Sequence, residues 1–154
     1  MHLRLGGDTV SAYLPAGLPQ PVPSPDGLDR PYWDGLLRNT LVLQRCADCH
    51  SWQWGPEFVC HACLSDNMTW QDTRAEGTIY SFERVWHPVH PALREHGPYV
   101  VVLVELPEAG KVRVVGNLLG DPHQDVRIGA AVRGVFEHHA DAGRPFALLQ
   151  WTLA

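Results

Sequence analysis

Residues 45–70 read RCADCHSWQWGPEFVCHACLSDNMTW and hold all four cysteines of the chain, Cys46, Cys49, Cys60 and Cys63. Two Cys-x-x-Cys pairs this close together are poorly placed for two unstrained disulfides, which need specific geometry and an oxidising compartment. Each pair can instead present both sulfurs from one tight turn. Two such turns brought together close a tetrahedral, four-thiolate zinc site that leaves no position for substrate, so the metal is structural. The ten residues between the pairs, HSWQWGPEFV, suffice for a short hairpin turning at Gly55-Pro56. A thioredoxin-like redox motif would account for one pair and leave the other without a role.

Knuckles of this kind often carry Gly just after the second cysteine, where positive φ relieves the backbone. Here His50 and Leu64 stand at those positions. His tolerates positive φ better than Leu. Either the second knuckle is strained, or the metal has been lost and the hairpin stands on the packing of Trp52, Trp54 and Trp70. His50 and His61 could substitute as ligands, although solvated knuckle side chains are the plainer reading.

On the N-terminal side, residues 14–27 (LPAGLPQPVPSPDG) carry five prolines without helical or strand periodicity, which makes residues 1–27 an extended arm. Residues 28–40 (LDRPYWDGLLRNT) predict a short helix. Asp29 is its candidate cap, Pro31 fits the first turn, Trp33, Leu36 and Leu37 form one apolar side, and Asn39 stops it. LVLQRC (41–46) leads into the first knuckle as a strand and MTWQDT (68–73) leaves the second, so helix and ribbon occupy residues 28–74.

From residue 75 to 154 the pattern is β: TIYSFERVW, YVVVLVEL, KVRVVGNLL, AVRGVFEHH and FALLQWTL are five candidate strands bounded by turn residues. An immunoglobulin-like sandwich would want about seven strands. Five short strands fit a closed, OB-like barrel, because closure removes edges that so apolar a set would expose. The unbroken apolar run Val100 to Val104 predicts a strand buried on both sides or tightly wrapped. The fold expected is mainly β: a short N-terminal helix and zinc ribbon, then a five-stranded OB-fold barrel.

Of the 154 residues, 45% are apolar and 19% charged, a globular composition, and no apolar run approaches the roughly 20 residues of a membrane span. The start lacks a basic segment followed by an apolar core, so no signal peptide is read and a cytoplasmic location is expected. Net charge is −5, and the eleven Arg and the single Lys are scattered. That is a poor footprint for nucleic acid.

The order of parts resembles an acyl-CoA-associated family in which a rubredoxin-like zinc ribbon precedes an OB-fold. The resemblance rests on PYWDG with Trp33 and Gly35, LVLQRCADC, VCHAC, GTIYSF with Gly77 and Tyr80, PYVVVLVEL, VGNLLGDPHQDVRIG with Asn117, Asp121 and Gly129, and VFE. It covers roughly residues 25–150. The sequence departs from the family at the two knuckle glycines and at WGPE, where Pro-Pro-Arg is usual. What the resemblance implies is a non-catalytic accessory subunit that binds a thiolase-superfamily partner and helps form its acyl-CoA channel. The narrowest expectation is a steroid side-chain aldolase cleaving a β-hydroxyacyl-CoA. Thiolase, acyltransferase and enoyl-CoA hydratase complexes are the alternatives, with a nucleic-acid-binding OB protein behind them.

Candidate contact residues follow. ERVWHPVHPALREHGPYV (83–100) places Trp86, His87, His90 and His96 with three prolines on the loop after the first barrel strand, suited to a partner or substrate. Trp33 and Tyr80 belong to the family signature, and Tyr80 reads as core or interface rather than acid. Arg84 and Arg127 could each neutralise a CoA phosphate, though a surface salt bridge is the commoner fate of such arginines. Gly116-Asn117 and Asp121-Pro122 read as turn and bulge formers, and His138 and His139 as exposed strand-end residues. No Ser-His-Asp order, nucleophile elbow, glycine-rich phosphate loop or carboxylate pair is present, so no catalytic residue is expected.

Overall fold

The computed structural model describes residues 9–10 and 12–154. Residues 1–8 and 11 of the expected arm, including the start on which the signal-peptide reading rests, lie outside the described residues. In chain order the elements are β1 (Thr9–Val10), α1 (Arg30–Leu37), β2 (Leu41–Cys46), β3 (Trp52–Gln53), β4 (Met68–Thr73), β5 (Glu76–Val85), β6 (Tyr99–Leu106), β7 (Val112–Asn117), β8 (Ala131–His139) and β9 (Phe146–Leu153). β2 runs antiparallel between β3 and β4 in a three-stranded ribbon sheet.

The second sheet curls into a nearly closed five-stranded barrel. β5 pairs with β6 and β8, β6 with β7, and β8 with β9, all antiparallel. The seam between β7 and β9 is drawn together by a parallel bridge from Leu118 to Trp151, with the Leu119 N–H donating to the Trp151 carbonyl at 2.8 Å. This is the OB arrangement that the five-strand pattern predicts. Gly116 sits at that seam: a Cβ there would lie 2.5 Å from the Leu149 carbonyl oxygen and 2.9 Å from the Trp151 ring. Gly116 is therefore a close-approach residue inside β7 rather than a turn former, whereas Asp121 does make a turn, accepting the His123 and Gln124 N–H groups.

On β6 the apolar run is not buried on both sides. Val100, Val102, Val104 and Leu106 point into the core while Val101 and Leu103 are half-exposed, because the barrel has one interior. Ile79, Val114, Leu118, Phe136, Leu149 and Trp151 complete that core, and each fully buried aliphatic contributes about 1.5–3 kcal/mol. A Trp151→Ala cavity would cost about 3–5 kcal/mol.

α1 packs its Tyr32 and Leu36 into the same core as Leu41 and Leu43 of β2. Gly35 permits this, since a Cβ would overlap the Val42 side chain and come within 2.9 Å of the Thr40 carbonyl. Two expectations change here. Leu37 is exposed and Tyr32 takes its inward place while Leu36 stays buried, so the buried side is rotated by about one residue, roughly 100°, from the one expected. Asp29 precedes the helix but makes no side-chain cap; its carboxylate accepts the Trp33 indole N–H at 2.8 Å. Asn39 ends the helix at φ 57°, the left-handed conformation Asn tolerates, and its N–H reaches the Leu36 carbonyl. Among the described residues no helix is long and apolar enough to cross a membrane.

Candidate metal centre and contact surfaces

β2 delivers Cys46 to the first knuckle, and the loop after β3 delivers Cys60 and Cys63 to the second. All four cysteines are free thiols, and their sulfurs lie within 4.8 Å of one another. Cys46 Sγ is 3.7 Å from Cys63 Sγ, and Cys49 Sγ is 3.5 Å from Cys60 Sγ. Zn–S bonds of about 2.3 Å in a regular tetrahedron require S···S edges of about 3.8 Å, so the donor set fits Zn²⁺. Backbone amides already point at sulfur, Cys49 N–H to Cys46 Sγ at 3.5 Å and Ala62 N–H to Cys60 Sγ at 3.4 Å. Such bonds favour thiolates.

The thiols do not ionise alike on their own. Hydrogen bonding with Ser51 holds Cys49 down to about 6. At Cys63 a backbone hydrogen bond from Ser65 favours the thiolate, but the contacts with Cys49, Cys46 and Cys60 together with desolvation push it up to about 12. A dication among the sulfurs removes that mutual penalty, which is why the cluster suits a metal better than four free thiols.

His50 and Leu64 adopt φ 63° and 62°, so both knuckles turn as a glycine would, and the second is paid for with a left-handed Leu. His50 and His61 stay exposed beside the cluster. Asp48 ties one knuckle to the next, accepting from Ser65 Oγ and, at 3.0 Å, from Asn67 Nδ2. These two hydrogen bonds hold its carboxyl below the ordinary range. The ribbon tryptophans turn inward: Trp54 meets the Tyr32 ring at 4.3 Å, Trp52 abuts Gly110 between β6 and β7, and Trp70 is half-buried against the core. They fasten the ribbon to the barrel. The apolar side chains that the ribbon exposes are Phe58 (75% exposed), Val59 and Leu64 (76%), of which only Leu64 stands out in the sequence, and for its backbone rather than as a contact.

The other expected contact residues stand in separate settings. Trp86 is 53% exposed at the end of β5, with the Arg84 guanidinium 5.6 Å from its ring centre and His123 tilted against it at 5.6 Å. His87 beside it is exposed. His90 has a local task, its Nδ1 accepting the Ala92 N–H at 3.2 Å to cap the turn Pro91–Leu93. Tyr80 lies on the outer barrel face beneath the Arg113 guanidinium, 3.4 Å from the ring centre. Arg127 forms an exposed ion pair with Asp125, and Arg84 donates to the Gln124 carbonyl, so neither stands as a lone cation. Trp33 borders a shallow groove with Arg30, Leu37 and Arg144. His138 and His139 are not simply exposed: His138 Nε2 meets Asn39 Oδ1 at 2.6 Å, and His139 Nε2 meets Glu137 Oε1 at 2.7 Å.

Residues 33–69 match the family model of the ChsH2 rubredoxin-like zinc ribbon domain, and residues 70–137 that of the ChsH2 C-terminal OB-fold domain. The chain is 38% identical over 107 residues (68% of its length) to a probable enoyl-CoA hydratase alpha subunit of Thermomonospora curvata, of which it covers 32%. It is 33% identical over 141 residues (82% of its length) to the 3-oxo-4,17-pregnadiene-20-carboxyl-CoA hydratase alpha subunit of Mycobacterium tuberculosis, of which it covers 43%. It thus spans less than half the length of both curated relatives. Among solved structures, the Ltp2-ChsH2(DUF35) aldolase superposes with a TM-score of 0.71 at 30% identity, covering 87% of this chain and 98% of that one. A DUF35-family protein of unknown function from Sulfolobus solfataricus shares the fold at 13% identity, with a TM-score of 0.56 over 84% and 87% of the two chains.

Proposed function

This chain belongs to the ChsH2 family of zinc-ribbon and OB-fold proteins, and from that premise we propose that it is a non-catalytic subunit of an acyl-CoA-processing hetero-oligomer. The observation that carries the reading is the likeness, over 98% of the matched chain, to a chain of the Ltp2-ChsH2(DUF35) aldolase. The partner is a thiolase-superfamily protein, and this chain helps enclose the acyl-CoA channel. The reaction is retro-aldol cleavage of a steroid β-hydroxyacyl-CoA. A base takes the hydroxyl proton, the bond between the α and β carbons breaks to leave a ketone, and the resulting enolate takes a proton to give the shorter acyl-CoA. The partner supplies the base and the donors that stabilise the enolate.

The chemistry of this chain agrees with that division. Its cysteines form a closed cluster, and its prominent exposed apolar side chains, Trp86 and Val89 at one barrel end and Phe58 and Leu64 on the ribbon, suit contact surfaces. Residues 1–27, 28–74 and 75–154 serve as arm, ribbon module and barrel. Zn²⁺ on Cys46, Cys49, Cys60 and Cys63 holds the ribbon in shape. The names of the two curated relatives favour a second reading, a hydratase complex, in which the same chain would accompany a hydratase partner.

Co-expression with a thiolase-superfamily candidate partner, followed by co-purification and assay on a β-hydroxyacyl-CoA, tests the proposal. Ketone and shorter acyl-CoA should appear only with both proteins present. Turnover by this chain alone, or failure to associate, would overturn it. Reversible hydration of an enoyl-CoA as the product chemistry would select the second reading.

A further inference from the structure

Four consecutive β8 residues, Gly134, Val135, Phe136 and Glu137, are buried, which an outer barrel strand achieves only when something covers its second face. The cover is the arm. β1 runs parallel to β8, with Thr9 opposite Phe136 and Val10 opposite Glu137, and further along the Arg144 Nη1 donates to the Pro23 carbonyl at 2.8 Å. Between these two attachments the arm bridges a cavity of about 240 Å³. Leu14 and Leu18 of the arm and Phe146 and Leu148 of β9 make its apolar walls, and Asn117, Glu137, His139 and Gln150 its polar lining.

That lining is a built network. Glu137 and Gln150 are each 3% exposed. Glu137 Oε1 meets His139 Nε2 at 2.7 Å, Glu137 Oε2 accepts from Gln150 Nε2 at 2.8 Å, and Gln150 Oε1 accepts the Asn117 N–H at 2.7 Å. His139 is held flat on the Phe146 ring, with centres 4.5 Å apart. A buried carboxylate costs several kcal/mol unless paired, so these partners fix its place. His139 keeps its Nδ1 and Gln150 a second amide hydrogen, one of which can accept and the other donate.

We propose that this cavity binds an uncharged hydrocarbon fragment bearing one hydroxyl or carbonyl group, its chain against Leu14, Leu18, Phe146 and Leu148 and its oxygen on Gln150 and His139. Charge selects the class: the described lining holds the Glu137 carboxylate and neither Arg nor Lys, so carboxylates and phosphates are disfavoured there. Size agrees, since about 240 Å³ falls below the roughly 300–1,000 Å³ of pockets that hold drug-sized ligands and suits a fragment rather than a whole thioester. The inference goes beyond the proposed function and stands without a partner protein.

The test uses the full chain, 1-hexanol as probe and hexanoate as its charged control, observed by NMR at the His139 ring and the Gln150 side-chain amide. Saturable shifts with 1-hexanol are expected, with hexanoate about tenfold weaker or worse, a gap of about 1.4 kcal/mol. Leu148→Phe should fill the cavity and abolish them. Ala16→Phe, made on an exposed arm residue, repeats the filling without touching β9 should Leu148→Phe fail to fold. Absence of saturable shifts, equal binding of hexanoate, or shifts unmoved by a folded filling variant would each overturn the proposal.

Discussion

Gln53 donates from Nε2 to Gln44 Oε1 at 3.2 Å, and the two amides, both sealed from solvent, hold the loop that joins the knuckles. Gln44 pairs with both backbone groups of Glu57, and Gln53 takes the Val59 carbonyl and the His61 N–H. Gln44→Leu keeps the bulk and strands the Glu57 N–H and carbonyl, at about 3 kcal/mol for the two. Denaturant midpoints measure it. A loss below about 0.5 kcal/mol would mean that the loop is held by other contacts.

Zinc binding and folding can be measured apart. Protein purified without chelator should carry near-stoichiometric zinc by elemental analysis, and Cys60→Ser, which removes a buried donor, should lose it. Amide exchange in residues 41–73 should then accelerate more than in the barrel strands. Well-folded protein with no zinc would mean that Gln44, Gln53 and the tryptophans sustain the ribbon unaided.

Leu64 adopts φ 62° although most of its side chain is in solvent, so its strain returns little packing. A non-glycine residue in this conformation costs about 1–2 kcal/mol, part of which glycine gives back as unfolded-chain entropy. Leu64→Gly should therefore stabilise the isolated chain by roughly 0.5–1 kcal/mol, read as a higher denaturant midpoint. If Leu64 also touches the partner, the same variant weakens co-purification, and the two readouts move in opposite directions.

Strand positions were legible because turn residues punctuate period-two segments: β2, β4, β6, β8 and β9 coincide with the runs chosen from the sequence. The cysteine cluster was legible because four thiols at that spacing have few uses. Less visible were features that depend on what lies opposite. Gln44, Gln53 and Glu137 are polar side chains that nothing in the local sequence marks as buried, and tertiary partners bury them. His139 looks like a solvated strand end until the arm is placed over β8. Gly116 reads as a turn because its neighbour across the seam, Trp151, is 35 positions away in the chain. The apolar run on β6 masks its own alternation, since the outward valines are as apolar as the inward ones.

Trp86 offers the sharpest test of the partner surface, because it is half-exposed and its loss leaves the barrel core untouched. Large aromatic side chains commonly dominate protein contacts, whereas the Arg84 and His123 contacts it makes at home are worth little at an exposed site. Trp86→Ala should change the folding midpoint by less than about 1 kcal/mol and weaken binding of the proposed partner by about tenfold to a hundredfold, or about 1.4–2.8 kcal/mol. Titration calorimetry reads the affinity, and thermal melting of the isolated chain controls for folding. Phe58→Ser makes the parallel measurement on the ribbon, 28 positions earlier in the chain. Loss at Trp86 alone places the partner on the barrel end, and loss at Phe58 alone places it on the ribbon. Full affinity in both variants would remove these exposed apolar residues from the interface and turn attention to the outer face of β5, β6 and β7, where Tyr80 and Arg113 stand.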